Sequence, residues 1–184
     1  MTKRKIAHVI GTGTIGEPLI GILVRYCDEL GLDEVTFHKN SPRIGDKPKL
    51  DSLIRKGARL AANKANAAGF RELGLEVAYE SEEAIARATV VIDCTPAGVG
   101  TDNKHQFYEK YADRVKGFIA QGSEFGFGKM YARGINDHVL DPDHDQFLHV
   151  VSCNTHNIAA LLKTIGGTKD GRSSVVDGRF TCLR

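Results

Sequence analysis

The chain has 184 residues, 41% hydrophobic and 26% charged, with a formal net charge of +2, which suits one soluble globular domain or a domain with a fragment of a second. So small a charge makes no case for a nucleic-acid or membrane-surface partner, no run approaches the roughly 18 apolar residues of a membrane span, and the stretch MTKRKIAHVIG is too briefly apolar for a signal peptide. The four cysteines, at 27, 94, 153 and 182, form neither a C-x-x-C pair nor a zinc-site spacing, and without a secretory signal they read as reduced thiols of a cytoplasmic protein.

Residues 5–10 (KIAHVI) read as a buried strand, and residues 15–30 as a helix with Ile15, Leu19, Ile22, Leu23 and Tyr26 along one side. Pro18 falls in the first turn, where its missing N–H costs little. Between strand and helix lies GTGTIG, with Gly11, Gly13 and Gly16 in G-x-G-x-x-G spacing. In that context Gly11 makes a tight turn, Gly13 lets a pyrophosphate approach the backbone, and Gly16 lets the helix pack on the strand. Thr14 and Ile15 complete this set of candidate cofactor contacts; the plainer alternative is an ordinary glycine-rich turn of an α/β protein.

A second strand, residues 34–38 (EVTFH), runs into KNSPRIG. An NAD-preferring domain places Asp or Glu about 20 residues past the glycines to hold the ribose hydroxyls. Here Thr36, Phe37, His38 and Lys39 occupy that window. Lys39, Asn40, Ser41 and Arg43 instead offer donors for a 2′-phosphate, which favours NADP with NAD as the alternative; a solvated basic loop is the plainer reading.

Farther on, residues 50–56 read as a helix, 59–62 as a strand, 64–73 as a helix, 76–79 as a short strand, and 81–87 as a helix capped by Ser81. The buried run TVVIDC (89–94) is a strand closed by Thr95-Pro96-Ala97-Gly98, then a helix over 104–111 and a strand over 116–120 follow. The alternation predicts an α/β, Rossmann-type doubly wound, mostly parallel sheet with helices on both faces. Ligands bind at the carboxyl ends of such strands, so Thr95, Pro96 and Gln121-Gly122-Ser123 either line the nicotinamide side or are turns. Asp141, Asp143 and Asp145 begin like a calcium loop, but Gln146 stands where glycine belongs and Ser152 where glutamate belongs, so no metal is expected.

Residues 146–151 (QFLHVV) read as a strand, and 157–165 as a helix on the spacing of Ile158, Leu161, Leu162 and Ile165. The intervening SCNT has helix-capping residue types, which sets Cys153 where a strand ends and a helix begins. Unpaired N–H groups and the positive end of the dipole favour a thiolate there, and a thiolate is the nucleophile that a thiol is not. The alternative is a small buried residue at a turn.

A dinucleotide fold followed by a strand ending in SCNT resembles glyceraldehyde-3-phosphate dehydrogenase, the archaeal form more than the bacterial and eukaryotic one. GTGTIG at 11–16, KNSP at 39–42, QGSE at 121–124 and VVSCNT at 150–155 occur in the family's order and at about its spacing. The resemblance implies a cytoplasmic, NADP- or NAD-dependent enzyme of glycolysis and gluconeogenesis that oxidises glyceraldehyde 3-phosphate. Cys153 would attack the aldehyde carbon to give a thiohemiacetal, hydride would pass to the nicotinamide, and inorganic phosphate would release the thioester. Ser152, Asn154, Thr155 and His156 would flank the substrate, Gly122 would touch the cofactor, Arg184 would match an arginine near it, and the assembly would be a homotetramer. The archaeal form usually has Thr-Gly after SCNT, where this chain has His156 and Asn157, so the aldehyde stays open. The family chain is nearly twice as long, and its second half carries the histidine that activates the cysteine. The expectation is therefore an NAD(P)-binding domain over 1–151 and, over 152–184, the catalytic-cysteine helix and the start of a truncated catalytic domain. A related semialdehyde dehydrogenase or acyl-phosphate reductase, and a non-catalytic NADP-binding redox module, are the other readings.

Overall fold

The computed structural model describes residues 4–167 and 174–181; the sequence-predicted cofactor residue Arg184, and Cys182, lie outside these. Strand β1 (Ile6–Ile10) is buried at all five positions, as a strand covered by helices on both faces must be. The chain then alternates through α1 (Gly16–Arg25), β2 (Glu34–His38), α2 (Lys47–Arg55), β3 (Arg59–Ala62), α3 (Lys64–Glu72), β4 (Tyr79–Glu80), α4 (Ser81–Arg87) and β5 (Val90–Asp93). It continues through α5 (Val99–Gln106), β6 (Gly117–Gly122), β7 (Lys129–Tyr131), β8 (Phe147–Val151) and α6 (Cys153–Gly166). The eight strands form one sheet in the order β4-β3-β2-β1-β5-β6-β8-β7, and every neighbouring pair is parallel. The fold is α/β and doubly wound, as the alternation predicts. Strand order reverses between β1 and β5, and that switch point is where such sheets open a ligand crevice.

Period-two alternation along the strands sorts the core into two layers. On one face Val9, Val35, Phe37 and Leu60 pack with Ile20 of α1, Leu50 and Leu53 of α2 and Phe70 of α3. On the other, Ile10, Val91 and Phe118 pack with Ile85 of α4 and with Tyr108. Tyr108 and Phe147 both stack on Phe118, at centroid distances of 5.2 and 4.8 Å. Tyr108 and Phe118 are wholly buried, and a side chain so buried contributes roughly 1.5–3 kcal/mol. Among the described residues no helix is long and apolar enough to cross a membrane.

Several boundaries depart from the sequence reading. α1 ends at Arg25 and passes into turns that close at Gly31, whose φ is +62°. α2 opens at Lys47, with Pro48 in its first turn, ahead of the predicted residue 50. α5 occupies Val99–Gln106, earlier than the predicted 104–111, and residues 108–111 form a 3₁₀ turn. Its polar sequence carries no apolar period to read. β4 is Tyr79–Glu80 rather than 76–79. Ser81 is not the cap of α4: Glu80 is, its Oε2 accepting from the N–H groups of Glu82 and Glu83 at 2.9 and 3.4 Å. α6 begins at Cys153, before the apolar run that signals it. The three-residue edge strand β7 was not predicted.

Candidate active site

The glycine loop leaves the end of β1 at the switch point. Gly11 has φ +96°, and a Cβ there would lie 2.8 Å from the Cys94 carbonyl oxygen; a Cβ on Gly16 would lie 2.0 Å from the Gly11 oxygen. Both positions therefore require glycine, one for backbone conformation and one for close approach. Gly13 is different: nothing stands within 4 Å of where its Cβ would be, so the protein itself does not demand glycine there. No side chain caps the first turn of α1, whose N-cap is Ile15; Glu17 N donates to the Gly13 carbonyl at 3.1 Å and Pro18 has no N–H, which leaves the N–H groups of Ile15 and Gly16 to face an anion. An exposed glycine above an uncapped helix start fits a pyrophosphate. Gly13, Thr14 and Ile15 form this exposed rim, with Ile15 51% exposed.

Beside the loop lies a cavity of about 390 Å³ between the strand ends and α4 and α5. It gathers four residues of the sequence-predicted set: Gly11, Lys39, Asn40 and Thr95. Ser41, Arg43 and Pro96 are outside its lining, and Arg43 is exposed. Lys39 is not a free cation. Its Nζ lies 2.7 Å from Asp46 Oδ2, and Lys49 Nζ lies 3.0 Å from the other carboxylate oxygen. Hydrogen bonds from Lys39 and then Lys49 hold the Asp46 carboxyl below the usual carboxylate range. Lys49 also donates to the Thr12 carbonyl at 3.0 Å, tying α2 to the glycine loop. The two lysines and one carboxylate leave a net positive charge beside the loop. Lys49 and Asp46 escape sequence reading because only the fold brings them to Lys39. Glu80, a carboxylate absent from the window after β2, also reaches the cavity, with one oxygen engaged in capping α4.

The loops after β5 and β6 are clamped together. Glu124, 2% exposed, accepts from the backbone N–H groups of Gly98 and Thr101 at 2.7 and 2.9 Å and from the Thr101 hydroxyl at 2.9 Å. It thus caps α5 from 26 residues away. Asp93, also buried, accepts from Thr95 N at 2.9 Å, Asn103 Nδ2 at 2.9 Å and the Tyr108 hydroxyl at 2.5 Å. Burial and then the Asp93 charge push the Tyr108 phenol well above its ordinary range. His149 Nε2 is 2.8 Å from the Gly122 oxygen and 3.3 Å from Glu124 N. One nitrogen cannot donate and accept through the same position, and the shorter contact favours the tautomer that donates to Gly122. These bonds hold Gly122, a predicted cofactor contact, at the end of β6.

Gly122 pairs in register with Val151, the last residue of β8, and Cys153 follows as the first residue of α6. Ser152 is the N-cap, its Oγ accepting from Thr155 N at 3.3 Å and lying 3.0 Å from Thr155 Oγ1. Cys153 is exposed, which removes the alternative of a buried turn residue. Its sulfur lies 3.9 Å from Asn154 Oδ1. His156 Nε2 pairs with the Arg133 carbonyl at 3.0 Å. From β1 to β8 is three strand spacings, about 14 Å at about 4.8 Å each, so the glycine loop and Cys153 stand along one row of strand ends. The other described thiols are unlike it. Cys94 is buried and pushed up to about 12 by burial, and burial also raises Cys27. The acidic loop closes on itself, His144 Nδ1 pairing with Asp141 at 2.8 Å and Asp145 with Lys129 at 2.5 Å. Among the described residues no group of three His, Cys, Asp or Glu could hold a metal ion.

The chain is similar to archaeal glyceraldehyde-3-phosphate dehydrogenases. It is 32% identical to that of Sulfolobus acidocaldarius over 90% of this chain and 45% of the relative. It is 32% identical to that of Methanococcoides burtonii over 100% of this chain and 50% of the relative, and 28% identical to that of Archaeoglobus fulgidus over 88% and 44%. It spans about half the length of the curated relatives it matches. No family model matches the chain. Among solved structures, lactate dehydrogenase from Eimeria maxima with NADH and oxamate aligns at a TM-score of 0.39 and 18% identity over 65% of this chain and 36% of that one.

Proposed function

From its kinship with the archaeal-type glyceraldehyde-3-phosphate dehydrogenases, we propose that this chain is the cofactor-binding, N-terminal half of an NADP-preferring enzyme. It oxidises glyceraldehyde 3-phosphate, or a closely related phosphorylated aldehyde, with inorganic phosphate as acyl acceptor. The observation that carries this reading is the exposed Cys153 opening α6, in the row of strand ends that begins with the glycine loop. Residues 1–151 form the nucleotide-binding unit, and residues from 152 on open the catalytic one.

Gly13 and the uncapped start of α1 take the pyrophosphate, and Lys39 with Lys49 faces the 2′-phosphate. When bound, the nicotinamide supplies the hydride acceptor. Cys153 adds its sulfur to the aldehyde carbon, and the aldehyde oxygen takes up the proton. Loss of hydride from that carbon, with loss of the hydroxyl proton to water, would leave a thioester, which hydrogen phosphate would cleave to an acyl phosphate while its proton returns to the thiol. Ser152 and Thr155 hold the first turn of α6, which Cys153 opens. Asn154, Thr155 and His156 provide polar contacts for the substrate.

Alkylation with limiting iodoacetamide at pH 7, read by peptide mass spectrometry, tests the assignment. Cys153 should label first, and saturating NADP should change its rate at least twofold while Cys27 and Cys94 stay unaffected. Labelling of Cys27 or Cys94 with Cys153 untouched would remove Cys153 from the site.

A further inference from the structure

The floor of the cavity carries more hydrogen-bonding capacity than the fold uses. His8 is wholly buried in β1, on the face covered by α4 and α5. Strand register sets it beside Thr36 of β2, and its Nδ1 lies 2.7 Å from Thr36 Oγ1. Among the described residues its Nε2 has no partner, and neither has the buried Nε2 of His38, two residues along β2 on the same face. Thr12 Oγ1 and Ser81 Oγ are likewise buried and unpartnered, in residues 5% and 8% exposed. All four side chains line the one cavity.

A buried polar atom left unpaired costs about 1–3 kcal/mol and is rare in native structures. Four around a single cavity point to a ligand that supplies their partners. The walls restrict its kind. Ile10, Ile85, Val99, Phe107 and Tyr108 present apolar and aromatic surface, which suits a flat ring. The two imidazoles present one nitrogen each on the same side. Burial lowers His8 to about 3 and lowers His38 as well, so at pH 7 each ring is neutral and offers either one N–H or one lone pair. One of each meets a donor next to an acceptor on a heteroaromatic edge.

We propose that His8 and His38 are specificity-determining residues that read the hydrogen-bonding edge of the adenine base of the dinucleotide. The inference rests on the dinucleotide-binding reading above and adds which side chains recognise the base. The exocyclic amine donates to one ring and N1 of adenine accepts from the other. Thr36 supports His8 from behind.

Calorimetric titration with 5′-AMP, NADP and inorganic pyrophosphate tests this on the chain and on His8→Leu and His38→Leu. Each variant should lose at least fivefold in affinity for 5′-AMP and NADP and keep pyrophosphate binding within twofold. Circular dichroism shows whether the variants fold. A second measurement leaves the protein unaltered: NAD is compared with its hypoxanthine analogue, in which the exocyclic donor becomes an acceptor and the neighbouring nitrogen gains a proton. Both rings would have to exchange tautomer to meet that edge, so the analogue should bind at least fivefold more weakly. Equal binding of the two dinucleotides, or unchanged 5′-AMP affinity in folded variants, overturns the inference while the dinucleotide reading stands; water then fills the floor. Failure of the unaltered chain to bind NAD, NADP or 5′-AMP overturns both.

Discussion

Asp46→Asn should shift cofactor preference further toward NADP. The carboxylate sits between Lys39 and Lys49, at 2.7 and 3.0 Å, and its lowered pKa keeps it ionised at neutral pH. It neutralises one of the two cations proposed to face a 2′-phosphate. A carboxylate about 6 Å from a phosphate charge repels it by about 0.7 kcal/mol at the dielectric of water and about 2.8 kcal/mol at an effective dielectric of about 20. The side chains of Lys39, Asp46 and Lys49 are 19, 21 and 33% exposed, which places the effect between those limits. A gain of about 1.4 kcal/mol, tenfold in affinity, is expected for NADP. NAD lacks the phosphate and should change by less than twofold. Calorimetry with both cofactors at low ionic strength measures the ratio, and added salt should shrink the difference. A ratio that is unchanged, or that falls, would refute the placement of the 2′-phosphate against this cluster.

Gly16→Ala should unfold the loop, since its Cβ would stand 2.0 Å from the Gly11 oxygen; loss of several degrees in thermal midpoint checks it. His8 should make stability fall in acid. Its native pKa of about 3 lies below the ordinary 6.5, so the unfolded chain binds a proton that the native one refuses as pH drops below 6.5. Between pH 7 and pH 5 this removes about 2 kcal/mol, measurable by urea unfolding, and His8→Leu should lack that part of the loss. Glu124→Gln should destabilise by about 3 kcal/mol, because an amide cannot accept all three bonds from Gly98 and Thr101 and would set N–H against N–H. Chemical denaturation that shows less than 1 kcal/mol would mean the clamp is not structural.

The parts of this fold that were legible in sequence are those made by neighbours in the chain. A buried strand, a glycine loop and an amphipathic helix are local, and so is a cysteine placed by SCNT between β8 and α6. What escaped depends on contacts across the sheet. α5 is held at its start by Glu124, 26 residues on, and its own residues (VGTDNKHQ) have no apolar period. Lys49 reaches Thr12 across 37 positions. β7 has three residues and, among the described residues, pairs only with β8. The His8 floor did leave a trace, a histidine inside an otherwise apolar strand, but its meaning needs His38 and Ser81 beside it.

Binding of a nicotinamide dinucleotide across Gly13 is the claim on which the rest depends. Titrating NADP into the chain and into Gly13→Ala tests it directly, because the alanine meets nothing within 4 Å in the protein itself and should leave the fold and its thermal midpoint intact. Saturable binding at one site, weakened at least tenfold in a folded Gly13→Ala, is the expected result. No saturable binding of NADP or NAD, or equal affinity in the two proteins, would contradict it.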